Sequence, residues 1–224
     1  MVQIRAALTE DSSSRPHEKR REILAAASRV FRRKGLHATG MRDIAAELEM
    51  AVGNLYYYFK DKEELLAFIQ QTTLASLLEW AGRIQALALR ADQKLYALLA
   101  GHVVLLNEVT PGSLAHLEVE ALGAQVRGPV QAGRDEYERC FRKLIEDGIA
   151  EGLFRALDSK VAALALLGAA NWTVRWFRPG GGKSARDIGC EQAEILVRGL
   201  LAPGQEVQVP PPDLLDTLAT GEKP

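Results

Sequence analysis

The stretch Thr39–Lys62, TGMRDIAAELEMAVGNLYYYFKDK, decides how the rest of this chain is read. Met41, Ile44, Ala45 and Leu48 recur at i, i+3, i+4 and i+7, so one apolar stripe of a short helix points inward while Arg42, Asp43, Glu47 and Glu49 stay in water. After a corner at Glu49-Met50, a second short helix over Val52–Tyr58 is anchored by Leu55 and by Tyr58-Phe59. Ala51, Val52, Asn54, Tyr56 and Tyr57 are left facing outward. A helix that exposes small residues, one amide and two phenols but hardly any charge is a poor solvated surface. It is better explained as a surface that meets something, and a helix-turn-helix of this size fits the major groove of DNA.

The distribution of charge points the same way. Arg15–Lys62 holds eleven Lys and Arg against six Asp and Glu, a local excess of +5 in a chain whose net charge is −1. Segregated charge of this kind concentrates positive potential where a phosphate backbone lies and keeps the remainder, near −6, soluble.

Working outward, residues 1–14 are polar and unpatterned and read as a mobile arm. Pro16 suits the first turn of a helix whose inward stripe is Ile23, Leu24, Ala27, Val30 and Phe31. Gly35, after Arg32-Arg33-Lys34, is its left-handed stop. Asp61 with Glu64 reads as a capping box that opens a long helix to about Leu89. Beyond it the spacing predicts helices near 92–108, 113–124, 128–152, 160–177 and 185–201, broken at Pro111-Gly112, Gly128-Pro129, Gly152 and Pro179-Gly180-Gly181-Gly182. No segment alternates with period two for long enough to make a strand. The expected fold is therefore all-α: an arm over 1–14, a DNA-binding three-helix bundle over 15–61, a helical ligand-binding and dimerisation domain over 62–202, and a Pro-rich extended or disordered tail over 203–224. With 224 residues, 47% of them hydrophobic, the chain can fill one large core or two modest ones. Cys140 and Cys190 suggest neither a disulfide framework nor a metal site, and no apolar run reaches the roughly 18 residues of a spanning helix; the expectation is a cytoplasmic protein without a membrane partner.

The segment KRREILAAASRVFRRKGLHATGMRDIAAELEMAVGNLYYYFKDKEELL resembles the head of the TetR family of one-component transcriptional regulators over about 50 residues, with order and spacing intact. A second segment, EGLFRALDSKVAALALLGAANWTVRWFRPGGGKSARDI, is similar to the closing helices of members that respond to fatty-acyl coenzyme A thioesters. The resemblance implies a homodimeric repressor on a pseudo-palindromic operator of double-stranded DNA. It also implies roles: Thr39, Tyr57 and Lys62 match positions that contact phosphates, Asn54 and Tyr56 face the groove together with Ala51, Val52 and Gly53, and Arg42 reaches either backbone or a base edge. An Asn so placed can pair bidentately with adenine, worth about 1–3 kcal/mol of discrimination. The chain departs from the family pattern in having Ala51 where a Ser cap is usual, Val52 where a Lys is frequent and Glu49 where Gly makes the turn; the last requires a positive φ.

In the body, small residues, Ala162, Ala163, Ala165, Gly168, Ala169 and Ala170, let helices approach closely, so 160–177 and 185–201 are expected to meet their copies as a four-helix bundle. Trp172 and Trp176, four apart on one face, belong either to that interface or to the wall of a pocket. Gly182-Lys183-Ser184 is no phosphate loop, since it follows a helix and the first glycine of that motif would fall at Phe177. Arg175, Arg178 and Lys183 are either surface charges or cations for coenzyme A phosphates. His102, Val103, Leu105, Leu106, His116 and Leu117 are the candidate lining of an apolar effector site, with Trp172, Arg175 and Trp176 added from the closing helices. The leading effector is a long-chain acyl-coenzyme A controlling fatty acid metabolism genes; the alternative is a lipophilic drug controlling an efflux pump. No cofactor is expected, and no nucleophile-base pair, metal-ligand cluster or cofactor turn suggests an enzyme.

Overall fold

The computed structural model describes residues 15–109, 119 and 122–216, with side chains from Glu18 onward. Eight α-helices lie among the described residues: α1 Arg15–Lys34, α2 Met41–Glu47, α3 Val52–Tyr58, α4 Lys62–Ala86, α5 Ala91–Val104, α6 Ala124–Ala150, α7 Ser159–Trp176 and α8 Ala185–Arg198. A π turn, Leu105–Val109, continues α5, and a 3₁₀ turn spans Pro212–Leu215. The arm over 1–14 and the helix expected over 113–124, down to residue 121 apart from Val119, lie outside the described residues.

The chain forms two compact units. One takes in the sequence up to Ala75 and the described part of Thr110–Ala132; the other takes in Ser76–Val109 and the described part of Gly133–Pro224. The division falls one helix half beyond the expected cut at residue 61, because the apolar face of α4 supplies Leu65, Leu66, Ala67 and Ile69 to the same core as α1–α3.

The first unit is built as its sequence dictates. Ile23, Leu24, Ala27 and Phe31 of α1, Met41, Ile44 and Ala45 of α2, and Leu55 and Phe59 from α3 share one core. Gly35 ends α1 at φ 84°, and its N–H donates to the Phe31 carbonyl at 2.8 Å. Asp43 caps α2 by accepting from the Gly40 N–H at 2.8 Å. Glu49 makes the turn at φ 52°, in the region that disfavours a side chain, and Ala51 gives α3 no side-chain cap. Asp61 Oδ1 accepts from the Glu64 N–H at 2.7 Å, while Glu64 reaches back to the Lys60 N–H at 2.8 Å, so α4 starts as expected.

In the second unit α5 is buried along nearly its whole length. α8 crosses it closely: a Cβ on Gly189 would lie 2.7 Å from the Ala100 carbonyl oxygen, which explains a glycine inside that helix. α7 is capped by Asp158, which accepts from the Lys160 and Val161 N–H groups at 2.9 and 3.0 Å, and α8 by Ser184, which accepts from Asp187 at 3.1 Å. One expectation is corrected, and a second, an extended or disordered tail, is narrowed to the first alternative. Gly128-Pro129 does not break the chain; α6 begins at Ala124 and runs through Pro129, which sits exposed in its second turn, where the carbonyl that loses a donor can turn to water. The tail is not disordered as far as Asp216. The Gln208 N–H donates to the buried carboxylate of Asp92 at 3.0 Å, Arg186 bonds both Asp216 and the Pro212 carbonyl, and Leu214 and Leu215 are buried. Among the described residues no helix is long and apolar enough to cross a membrane.

Candidate nucleic-acid interface and effector seam

α3 divides its residues as the sequence pattern requires. Leu55 and Phe59 are buried, whereas Tyr57 is 84% and Tyr56 49% exposed, and Ala51, Gly53 and Asn54 are exposed beside them. Tyr57 stands edge-on to Tyr58, ring centroids 5.2 Å apart, which stiffens the phenol that projects furthest. Arg42 of α2 is exposed as well. Two expected outward residues are not free. Val52 is half-buried and packs against the head core. Thr39 is buried, and its hydroxyl donates to the Gly35 carbonyl at 2.7 Å, so that proton is not available to a phosphate. Lys62 Nζ donates to the Leu36 carbonyl at 2.6 Å, and burial lowers its pKa. Thr39 and Lys62 thus fasten the turn between α1 and α2, and Lys62 retains two further protons for an anion.

The head's positive excess is partly consumed inside the head. Arg29 and Arg33 bond Glu47 at 2.7 and 2.8 Å, and Lys34 bonds Asp43 at 2.6 Å. The hydrogen bond from Arg29, then that from Arg33, holds Glu47 below the usual carboxylate range; Lys34, then the Gly40 N–H, does so for Asp43. These ties clamp α1 to α2; Arg42, Lys60 and Lys62 are the cations nearest α3 in sequence.

In the second unit the predicted effector residues separate. His102, Val103 and Leu106 are buried on α5 and its π turn; Leu117 and His116 lie outside the described residues. Trp172, Arg175 and Trp176 are exposed on α7, Trp172 by 61% and Trp176 by 44%, with Arg175 5.9 Å from the Trp172 ring. They do not join His102 in one lining. Together with Val161, Leu164 and Gly168 they form the outward stripe of α7, next in kind to exposed Ile195 on α8. Lys183 is held by Glu191 at 2.6 Å.

Around His102 lies a network that the sequence did not suggest. Its Nδ1 is 3.1 Å from the Tyr137 hydroxyl and its Nε2 3.2 Å from Asn171 Oδ1. Asn171 Oδ1 only accepts, so Nε2 carries the proton and Nδ1 accepts from Tyr137. Burial lowers the His102 pKa to about 4, against a partial rise from Asn171 and with a further lowering from Arg134; the ring is neutral. Five residues on, Asn107 Nδ2 donates to the Val103 carbonyl at 2.9 Å and to Thr173 Oγ1 at 2.7 Å. The sequence offers a hint only for His102 and Asn107, polar residues that interrupt the apolar run Leu95–Leu106 or end it; Tyr137 stands among charged residues and carries no such signal.

Residues 23–69 match the family described as bacterial regulatory proteins, tetR family, and residues 88–200 match the tetracyclin repressor-like C-terminal domain. The chain belongs to the TetR family of transcriptional regulators. It is 28% identical over 197 residues to the HTH-type transcriptional repressor KstR2 of Mycolicibacterium smegmatis, covering 85% of this chain and 94% of that protein. Among solved structures it resembles the TetR family transcriptional regulator PfmR from Thermus thermophilus, at 30% identity and a TM-score of 0.72, over 80% of this chain and 99% of that one. It also resembles AibR in complex with isovaleryl coenzyme A and operator DNA, at 25% identity and a TM-score of 0.69, over 82% and 98% of the two chains. The protein is accordingly a ligand-responsive transcriptional repressor that binds operator DNA as a homodimer.

Proposed function

We propose that this repressor acts in the cytoplasm on genes of fatty acid metabolism and leaves its operator when an acyl-coenzyme A thioester binds the body. The observation that carries the ligand class is the likeness, over almost the whole of that chain, to a regulator solved with an acyl-coenzyme A and operator DNA. The unbroken burial from Leu95 of α5 to Leu106 of its π turn supports it, since an acyl chain needs apolar helix faces that can part around it. Arg42, Asn54, Tyr56, Tyr57 and Lys62 meet the operator, with Ala51 and Gly53 allowing close approach. Asn54 and Tyr56 read base edges, and Tyr57 and Lys62 hold phosphates. His102, Val103 and Leu106 face the effector, and the outward stripe of Trp172 and Trp176 on α7, with Ile195 on α8, meets a second subunit. A stripe of large apolar side chains left in water is otherwise unexplained.

Release requires the thioester to prefer the state that does not bind DNA, by roughly 10⁴-fold for complete switching. A mobility-shift titration on the DNA upstream of the gene tests this: acyl-coenzyme A of some chain length is expected to abolish the shift, and no release at any length, with release by lipophilic cations instead, contradicts it. Sedimentation of Trp172→Glu is expected to give a monomer; an unaltered dimer removes α7 from the interface.

A further inference from the structure

Asn107 leaves one acceptor open. Both of its amide protons are used, on the Val103 carbonyl and on Thr173 Oγ1, and the Thr173 proton is itself given to the Ala170 carbonyl at 2.7 Å. These bonds fix which way the amide points: turned over, its oxygen would face a carbonyl and a hydroxyl whose proton is committed. Asn107 Oδ1 is closed off from solvent and has no partner among the described residues, while both ring nitrogens of the neighbouring His102 are bonded, to Tyr137 and to Asn171. The residue is only 7% exposed, so the atom cannot be satisfied by bulk water. A buried acceptor without a donor is uncommon and costly.

Its surroundings say what donor would suit. Val103, Val104, Leu105 and Leu106, which precede it, are buried, as are Ala170 and Val174 on either side of Thr173 along α7, so most of the side chains that these two stretches bury are apolar. Asn107 stands in the π turn Leu105–Val109, where Nδ2 serves the Val103 carbonyl from the position an α-helical N–H would occupy. π turns are rare and are found frequently at functional sites, which marks this as the place where a ligand would enter the seam. We infer that the effector carries an aliphatic hydroxyl on its apolar chain and donates it to Asn107 Oδ1, so that the ligand is a hydroxyacyl thioester rather than the saturated one. The inference rests on the acyl-coenzyme A reading above. The polar pantetheine arm, common to every thioester, does not suit so apolar a seam.

The test is calorimetry of the full-length wild-type protein with matched pairs, such as 3-hydroxyoctanoyl- and octanoyl-coenzyme A, at several chain lengths. The hydroxylated member is expected to bind about tenfold to a hundredfold tighter, and Asn107→Leu, checked for folding by operator binding, to erase that preference while still taking the saturated chain. Should Asn107→Leu not fold, Thr173→Ala, which frees the amide to turn, is expected to shrink the preference. Equal affinity of the pair in wild type, as an isolated buried water on Oδ1 would give, overturns the inference and leaves the thioester reading standing; so does a preference that survives the loss of Asn107. Failure of both thioesters at every length overturns the reading on which it rests, and the inference with it.

Discussion

The two units treat polar side chains in opposite ways. The first unit holds Asn54, Tyr56 and Tyr57 in water on α3, over the buried anchors Leu55 and Phe59, so their hydrogen-bonding groups face solvent. The second seals His102, Tyr137, Asn107 and Thr173 between α5, α6 and α7, and of these four side chains only Asn107 has a buried polar atom without a partner among the described residues. Under the proposed function, a surface that must read many DNA sequences and choose one keeps its donors and acceptors open. An interior that must hold its shape until a ligand comes keeps them closed.

That contrast can be broken from either side. The largest effect is expected from Leu55→Ala, which removes a fully buried anchor of α3 and should cost the head about 2–5 kcal/mol. Chemical unfolding followed by operator titration would show a lost head transition and lost binding; an unchanged midpoint would mean that α3 is not held by this side chain. Next is the acid side of the body. His102 is neutral in the fold, with a pKa of about 4 against 6.5 in the unfolded chain, so the unfolded state takes up the proton first as pH falls. The associated stability is complete above about pH 6.5 and is lost progressively down to about pH 4, on the order of 3 kcal/mol. Unfolding free energies measured from pH 7 to 4 should fall through that window in wild type and more gently in His102→Gln; coincident curves would place the titration elsewhere.

Gly189→Ala comes third. Its Cβ would press the Ala100 carbonyl at 2.7 Å, a backbone atom that cannot swing away, and α8 must shift from α5 at a cost of about 1–3 kcal/mol. Operator affinity per folded dimer should barely change, which thermal melts and titrations on the same sample would resolve. The smallest effect is Tyr57→Phe. Deleting one exposed phenol should weaken binding by roughly 0.5–1.5 kcal/mol, equally on operator and unrelated duplex, because a phosphate contact carries no sequence information.

How much of this was legible in the sequence follows the same division. The i, i+3, i+4, i+7 stripe of α2, the outward phenols of α3, Gly35 at positive φ and the Ser184–Asp187 cap could all be read because each depends on neighbours within one or two turns. Glu49 at φ 52° was legible from its place in the turn. The pairings of Arg29 and Arg33 with Glu47 and the contact of Gln208 with Asp92 were not, since each joins positions that only packing brings together; Thr39 bonds a carbonyl only four residues back, but a hydroxyl at that position suits a phosphate as well as its own turn. Tail prolines signalled extension correctly but not docking, because Leu214 and Leu215 carry no periodic pattern in so short a segment. The tryptophans of α7 show the limit most clearly: spacing put Trp172 and Trp176 on one face, but whether that face looks inward depends on the other helices.

The central claim is that the nearly uncharged face of α3 selects the operator. Fluorescence anisotropy of the wild type and of an Asn54→Ala, Tyr56→Ala double variant, on the upstream duplex and on a scrambled one at fixed salt, tests it directly. The wild type should prefer its operator by roughly 10³ or more, and the double variant should lose most of that preference while still binding both duplexes weakly. A double variant as selective as the wild type would contradict the account.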